Sequence, residues 1–88
     1  MTPEQRELFR ISLLRVLDAN RSQFGFGLTA LATLVLRFGF KVGPDDVEPE
    51  IIYLEDKGFV TLIGKAISPE NRTWRITADG RDYLASNG

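Results

Sequence analysis

The charged residues of this chain fall into one acidic segment between two basic ones. Residues 45–58 hold six acids and a single base, Lys57. Residues 1–44 hold six bases against three acids, and residues 59–88 hold four bases against three acids. Lysine and arginine side chains bind phosphates, whereas carboxylates repel a phosphate backbone and attract cations. The sequence therefore offers two chemistries, anion contact outside residues 45–58 and cation contact within them.

The sequence lacks two of the residue types that catalysis and metal binding commonly use. The 88 residues include no cysteine and no histidine, so thiolate nucleophiles, cysteine-bound zinc and the usual general base are missing. The acids of residues 45–58 follow helical spacing without an EF-hand pattern. Gly25-Phe26-Gly27 lacks the preceding strand and the later glycine of a phosphate-binding loop. We therefore predict no catalytic residue, no metal, no cofactor and no enzymatic activity.

Length and composition are typical of one small globular domain over residues 1–88. The chain is 43% hydrophobic and has a net charge of −1, which argues against disorder. The N-terminus lacks the basic and apolar regions of a signal peptide. The most apolar run, residues 28–36, is less than half the length of a membrane-spanning helix. We expect a cytoplasmic protein with no membrane contact.

The N-terminal half of the chain predicts two helices. Thr2-Pro3-Glu4-Gln5 combines a capping box with a proline at the first helical position, and the helix it starts ends near Ala19. The second helix covers residues 28–38 and ends at Gly39. The core stripe of the first helix is Phe9, Leu13, Val16 and Leu17, and that of the second is Leu28, Leu31, Leu34, Val35 and Phe38.

Both helices carry apolar residues beyond one core stripe. These surplus residues are Leu8, Ile11, Leu14, Ala32 and Leu36. At about 25 cal/mol per Å² of apolar surface, leaving several of them in water costs several kcal/mol. A symmetric contact between two copies of the chain would remove that cost. The surplus residues therefore predict a homodimer.

The third helix is expected to begin at Asp45, Asp46 or Glu48, which places Pro49 within its first turn, where proline is tolerated. It ends at Gly58. Its core-facing residues recur at helical spacing. They are Val47, Ile51 and Leu54.

The C-terminal third predicts a β-hairpin and a short helix. Residues 59–63 and 72–77 are rich in strand-forming residues, and the segment between them contains Ser68-Pro69. Trp74 and Ile76 share one face of the second strand, while Arg75 lies on the other. Thr77 is the expected N-cap of the last helix.

This order of elements resembles the winged helix-turn-helix superfamily, as found in small bacterial and phage transcription regulators of the MarR, ArsR and PadR kind. Residues 51–60 (Ile-Ile-Tyr-Leu-Glu-Asp-Lys-Gly-Phe-Val) are similar to a recognition helix that runs into the wing. Residues 74–84 (Trp-Arg-Ile-Thr-Ala-Asp-Gly-Arg-Asp-Tyr-Leu) are similar to the end of the wing and the start of the terminal helix. The resemblance covers roughly residues 28–85. It implies an α+β, mainly α fold, with a three-helix bundle, a two-stranded wing and a short C-terminal helix.

The resemblance also implies DNA binding, with the third helix in the major groove and the wing along the backbone. The phosphate contacts would come from Lys41 before the third helix and from Lys65, Arg72 and Arg75 on the wing. The third helix itself suits base reading poorly, because groove readers use Arg, Lys, Asn or Gln. Its segment has a net charge of −5.

Two functions from different classes stay open. The first, which we favour, is a DNA-binding regulator that contacts phosphates through its wing. The second is a protein-interaction module in which the outward residues of the third helix face a protein partner. Those residues are Glu48, Ile52, Tyr53 and Asp56. For any single charged residue among these, solubility alone is an alternative role.

Overall fold

Four α-helices and one antiparallel pair of strands make up the described part of the chain. The computed structural model describes residues 1–21, 24–63 and 72–87. Its elements are α1 (Pro3–Ala19), α2 (Leu28–Leu34), a 3₁₀ turn (Val35–Phe38), α3 (Pro44–Asp56), β1 (Val60–Ile63), β2 (Thr73–Ile76) and α4 (Ala78–Asn87). The chain is thus an α+β protein that is mainly helical, as the sequence predicts. None of these helices has the length and apolar character needed to cross a membrane.

The ends of α1 confirm the sequence prediction. The Gln5 backbone N–H donates to the Thr2 hydroxyl at 3.1 Å, and the Thr2 backbone N–H donates to the Gln5 side chain at 3.0 Å. This reciprocal capping box satisfies two donors that the first turn would otherwise leave unpaired. Along the helix, Leu14 is as completely buried as Leu13, because α1 packs against α4 as well as against the other helices.

The second helix tightens before it ends. The sequence predicts one α-helix over residues 28–38, but the last four residues form a 3₁₀ turn that stops at Gly39. A 3₁₀ helix turns each residue about 20° further than an α-helix does. The change of winding moves Phe38 off the predicted core face, and its side chain is 42% exposed. Ala32, which was expected on the outer side, is buried.

The third helix begins earlier than the sequence predicts. It starts at Pro44, with Gly43 as its N-cap, and the Gly43 N–H donates to the Asp46 carboxylate at 3.0 Å. Pro49 therefore lies in the helix interior and not in the first turn. It has no N–H to give to the carbonyl of Asp45, and the helix nevertheless continues to Asp56. The predicted core residues Val47, Ile51 and Leu54 are all buried.

The two strands pair in the expected antiparallel arrangement, within one residue of the predicted bounds at each end. The register joins Val60 to Ile76 and Ile63 to Thr73. The predicted connection between the strands, residues 64–71, lies outside the described residues. The other edge of β2 pairs with a segment predicted as a loop, since Phe26 and Trp74 exchange backbone hydrogen bonds of 2.9 and 3.0 Å.

The Phe26–Trp74 bridge depends on the glycine before it. Gly25 has a φ of +69°, a region that side chains disfavour. A Cβ atom there would lie 2.6 Å from the carbonyl oxygen of Trp74. Only glycine lets the backbone approach β2 this closely.

The last helix confirms its predicted cap. The Thr77 hydroxyl accepts from the Gly80 N–H at 3.0 Å and donates to the carbonyl of Gly58 at 2.6 Å. Thr77 therefore ties the start of α4 to the turn that follows α3. In its first turn, α4 lies so close to the backbone of Phe59 that Gly80 is fully covered.

Gly80→Ala should destabilise the protein, because the new Cβ would lie 2.1 Å from the carbonyl oxygen of Phe59. We expect a loss of about 2–4 kcal/mol in the free energy of unfolding, measured by urea denaturation. Gly43→Ala is the matched control, since its Cβ would meet nothing closer than 3.9 Å. Equal stability of the two variants would show that α4 does not approach Phe59 as described.

Candidate nucleic-acid interface

The two predicted wing arginines have different surroundings. Arg72 is half-buried, forms an ion pair with Glu48 and holds its guanidinium 5.3 Å from the centre of the Trp74 ring. Arg75 is exposed and forms no ion pair with any described residue. Strand alternation turns Arg75 away from the side on which Trp74 and α3 lie. Of the two, Arg75 is the more available to an outside anion.

Neither Lys41 nor Arg72 joins Arg75 in one site. Lys41 is exposed but lines a concavity at the start of α3, where Asp45, Asp46 and Glu50 are its acidic neighbours. Lys65 lies outside the described residues. The structure therefore does not assemble the four predicted cations into one site.

Arg75 lies instead with two arginines that sequence reasoning did not select. Arg21 follows α1, and Arg81 lies in the second turn of α4. The three side chains line one concavity of about 500 Å³, which we call the arginine pocket. Its other lining residues are Leu17, Thr61, Ile76, Thr77 and Ala78. Within the part of the chain that the structure describes, no acidic residue lines it, and Arg21 alone of the three has an ion pair, with Asp18 at 2.8 Å.

Arg75 and Trp74 face opposite sides of the strand pair. Thr61 and Arg75 are cross-strand partners, so their side chains share a face. Trp74 faces the other way and donates its indole N–H to Glu55 of α3 at 2.8 Å. Arg75 thus points away from the helix that the winged-helix resemblance would place in the groove.

Most acids of α3 have local partners in the fold. Glu48 pairs with Arg72, Glu55 accepts from Trp74, and Asp46 caps the helix. The predicted outward position of Glu48 is therefore only partly correct, because its side chain is half-buried against Arg72. Asp56 is exposed as expected. The described residues contain no cluster of three or more acids that could hold a metal ion.

Glu50 is the most deeply buried acid of α3. It is only 9% exposed and accepts from the Arg10 Nε at 2.7 Å, with the Nε of Arg6 at 3.7 Å. The sequence contained a usable signal, since Glu50 lies three residues after Val47 and four before Leu54, on the inner side of the helix. A charged residue there requires a partner from another element.

Ile52 and Tyr53 lie on the outer side of α3, as predicted. Their side chains are 41% and 37% exposed. The Arg10 guanidinium lies 3.7 Å from the centre of the Tyr53 ring, and the Lys57 ammonium lies 5.6 Å from it. One face of Tyr53 is thus covered by cations, which leaves Ile52 and the ring edge as apolar surface.

The five predicted dimer residues do not form one surface. Leu14 and Ala32 are buried within the chain itself, so they cannot contact a second copy. Leu8 and Leu36 are 59% and 52% exposed, and Ile11 is half-buried. The burial of Leu14 follows from the packing of α4 on α1, which helical periodicity alone does not reveal.

A second concavity, between α1, α3 and α4, holds a tyrosine with a shifted pKa. Tyr83 donates its hydroxyl to the Glu7 carboxylate and stacks on Phe59, with ring centres 4.6 Å apart. The hydrogen bond to Glu7, followed by burial and by the negative charge of Glu7, raises the pKa of Tyr83 to about 12. The hydroxyl is protonated at neutral pH, as in any ordinary tyrosine, and its hydrogen bond to Glu7 makes it a structural donor.

No known family model matches the chain, and no curated protein matches it.

Breaking the Glu50 contact should cost more stability than removing an exposed acid from the same helix. Glu50→Ala leaves the half-buried Arg10 without its nearer carboxylate and with Glu7 at 3.9 Å, so we expect a loss of about 2–4 kcal/mol in the free energy of unfolding. Asp56→Ala, near the C-terminus of α3, is the control and should change it by less than about 0.5 kcal/mol. Urea denaturation followed by tryptophan fluorescence measures both. Similar values for the two variants would contradict a structural role for Glu50.

Proposed function

We propose that this protein is a DNA-binding protein of the winged-helix type that contacts the phosphates of the duplex through the side of the strand pair that carries Arg75. The arginine pocket is the observation that carries the proposal. Three arginines from separate parts of the chain line it, and none of the acids in the described residues does. Clustered arginines form charge-assisted, bidentate hydrogen bonds with phosphate oxygens.

The order of the elements supports the winged-helix part of the proposal. Two helices joined by a short turn, α2 and α3, are followed by the antiparallel strands and by α4. The bridge between Phe26 and Trp74 adds a backbone contact at the edge of β2. This layout is compatible with a helix-turn-helix followed by a wing.

The proposed binding is independent of DNA sequence. Phosphate contacts fix position without reading bases, and the exposed residues of α3 supply few donors of the kind that read base edges. In this proposal α3 stays out of the groove, in contrast to what the winged-helix resemblance implies. The acids of α3 contact other residues of the fold. The phosphate contacts come from the side of the strand pair that carries Arg75.

A protein-interaction module is the second candidate. The adjacent exposure of Ile52 and Tyr53 on α3 favours it, with Asp56 and the half-buried Glu48 beside them. An aromatic residue next to an aliphatic one is a common centre of a protein interface. This candidate does not involve the arginine pocket, so the two candidates predict different effects of the same substitutions.

Replacing the two wing arginines separately tests the DNA-binding proposal. Arg75→Ala should weaken binding severalfold and to a similar degree on two unrelated duplexes, and should reduce the salt slope by about one. Arg72→Ala is the matched variant and should have a smaller effect, because Glu48 already holds its guanidinium. Fluorescence anisotropy over a range of salt concentrations measures both. Parent-like binding by Arg75→Ala would contradict the assignment, and loss of binding with Tyr53→Ala alone would favour a surface on α3.

We also propose that the protein forms a homodimer through the outer side of α1 and the 3₁₀ turn, where Leu8 and Leu36 are exposed. Sedimentation equilibrium at micromolar concentration should give twice the chain mass. Leu8→Glu should give a monomer, because a symmetric contact would bury two unpaired charges. Leu62→Glu, at another partly exposed leucine, is the control and should leave the dimer intact. A monomeric parent protein would refute the proposal.

A further inference from the structure

The arginine pocket is a concavity and not a flat basic surface. Its volume of about 500 Å³ falls within the range of roughly 300–1,000 Å³ that is typical of sites for small molecules. Phosphates along a continuous duplex can be contacted by cations on an open surface and require no such depth. The shape therefore indicates a ligand group that enters the pocket.

The charge of the pocket matches one densely charged group better than a phosphodiester. Three arginines line it, of which Arg21 also pairs with Asp18, and Thr61 lies beside them. An internal phosphodiester carries one negative charge. A phosphomonoester carries about 1.5–2 negative charges near pH 7 and presents three acceptor oxygens. A monoester can therefore accept hydrogen bonds from several arginines at one site, and it does so with more negative charge than a diester.

The pocket also has an apolar part. Leu17 and Ile76, both nearly buried, line it together with Ala78. The pocket is larger than a phosphate group requires, so the remaining space can hold a sugar and part of a base beside Ala78, which is the exposed one of the three. A charged end joined to an apolar body is the form of a terminal nucleotide.

We propose that the arginine pocket binds the terminal phosphate of a nucleic-acid strand, with Arg21, Arg75 and Arg81 on the phosphate and the terminal nucleoside beside Ala78. The proposal rests on the proposed function, because it takes nucleic acid as the ligand. It goes further by assigning the pocket to strand ends and by adding Arg21 and Arg81 to the binding residues.

The test compares one short DNA duplex in four forms, with a 5′-phosphate, with a 3′-phosphate, with hydroxyl ends only, and closed by hairpin loops at both ends. Fluorescence anisotropy with the full chain should show that a form with a terminal phosphate binds at least about tenfold more tightly than the hydroxyl-ended and hairpin-closed forms. This preference should shrink between pH 7 and pH 5, as the monoester takes up its second proton near pH 6. Arg81→Gln should remove the preference. Arg37→Gln, at an exposed arginine outside the pocket, should retain it.

The outcomes separate the two proposals. Equal binding to all four forms would overturn the strand-end proposal and leave the proposed DNA binding intact. Absence of binding to any form would overturn both. A free nucleoside monophosphate that competes as well as the phosphorylated duplex would identify a nucleotide as the ligand and overturn the strand end. The comparison of the four forms uses the parent protein, so it stands even if Arg81→Gln fails to fold.

Discussion

The indole of Trp74 is almost completely buried, and its N–H donates to the Glu55 carboxylate. Its backbone pairs with Phe26 on one edge and with Leu62 on the other. A buried aromatic side chain of 150–250 Å² contributes roughly 4–6 kcal/mol by area alone. Leaving the buried indole N–H without an acceptor would reduce this stabilisation by about 1–3 kcal/mol. Trp74 thus requires both an apolar site and an acid, and α3 supplies the acid through Glu55.

That requirement changes the meaning of the acidic segment. As a sequence, residues 45–58 look like a negatively charged surface. In the folded chain, Glu55 accepts a hydrogen bond from Trp74. Glu48 forms an ion pair with Arg72, and Glu50 forms one with Arg10. These contacts attach α3 to β2 and to α1. The acids therefore explain how the helix is held, and their number is weak evidence for an acidic binding partner.

Local signals in the sequence were sufficient for the elements of the fold. The capping box at Thr2, the glycine after the second helix and the cap at Thr77 are all fixed within a few residues of the chain. The predicted start of α3 is wrong because it places Pro49 in the first turn. Pro44, followed by Asp46, is the stronger start signal. The winding of residues 35–38 was missed because the change from α to 3₁₀ preserves most of the apolar pattern.

The candidate site was much less predictable. Of the three predicted cations that lie in the described residues, only Arg75 lines the arginine pocket. Arg21 and Arg81 are 60 residues apart in sequence and meet through the packing of α1 against α4 and β2. No short-range pattern reports that packing. Glu50 is the opposite case, because its place on the inner side of α3 could have been read from helical spacing.

The net charge of −1 does not oppose the binding of a polyanion at the arginine pocket. Ions screen charges over about 8 Å at physiological salt, whereas the shortest extent of the Cα trace is 21 Å. Most acids of α3 are neutralised by adjacent arginines or used in hydrogen bonds. In the proposed binding, a phosphate at the pocket would meet Arg75 and Arg81, which have no ion pair among the described residues, and Arg21, which has Asp18 at 2.8 Å. Local charge, and not the sum over the chain, therefore governs the proposed binding.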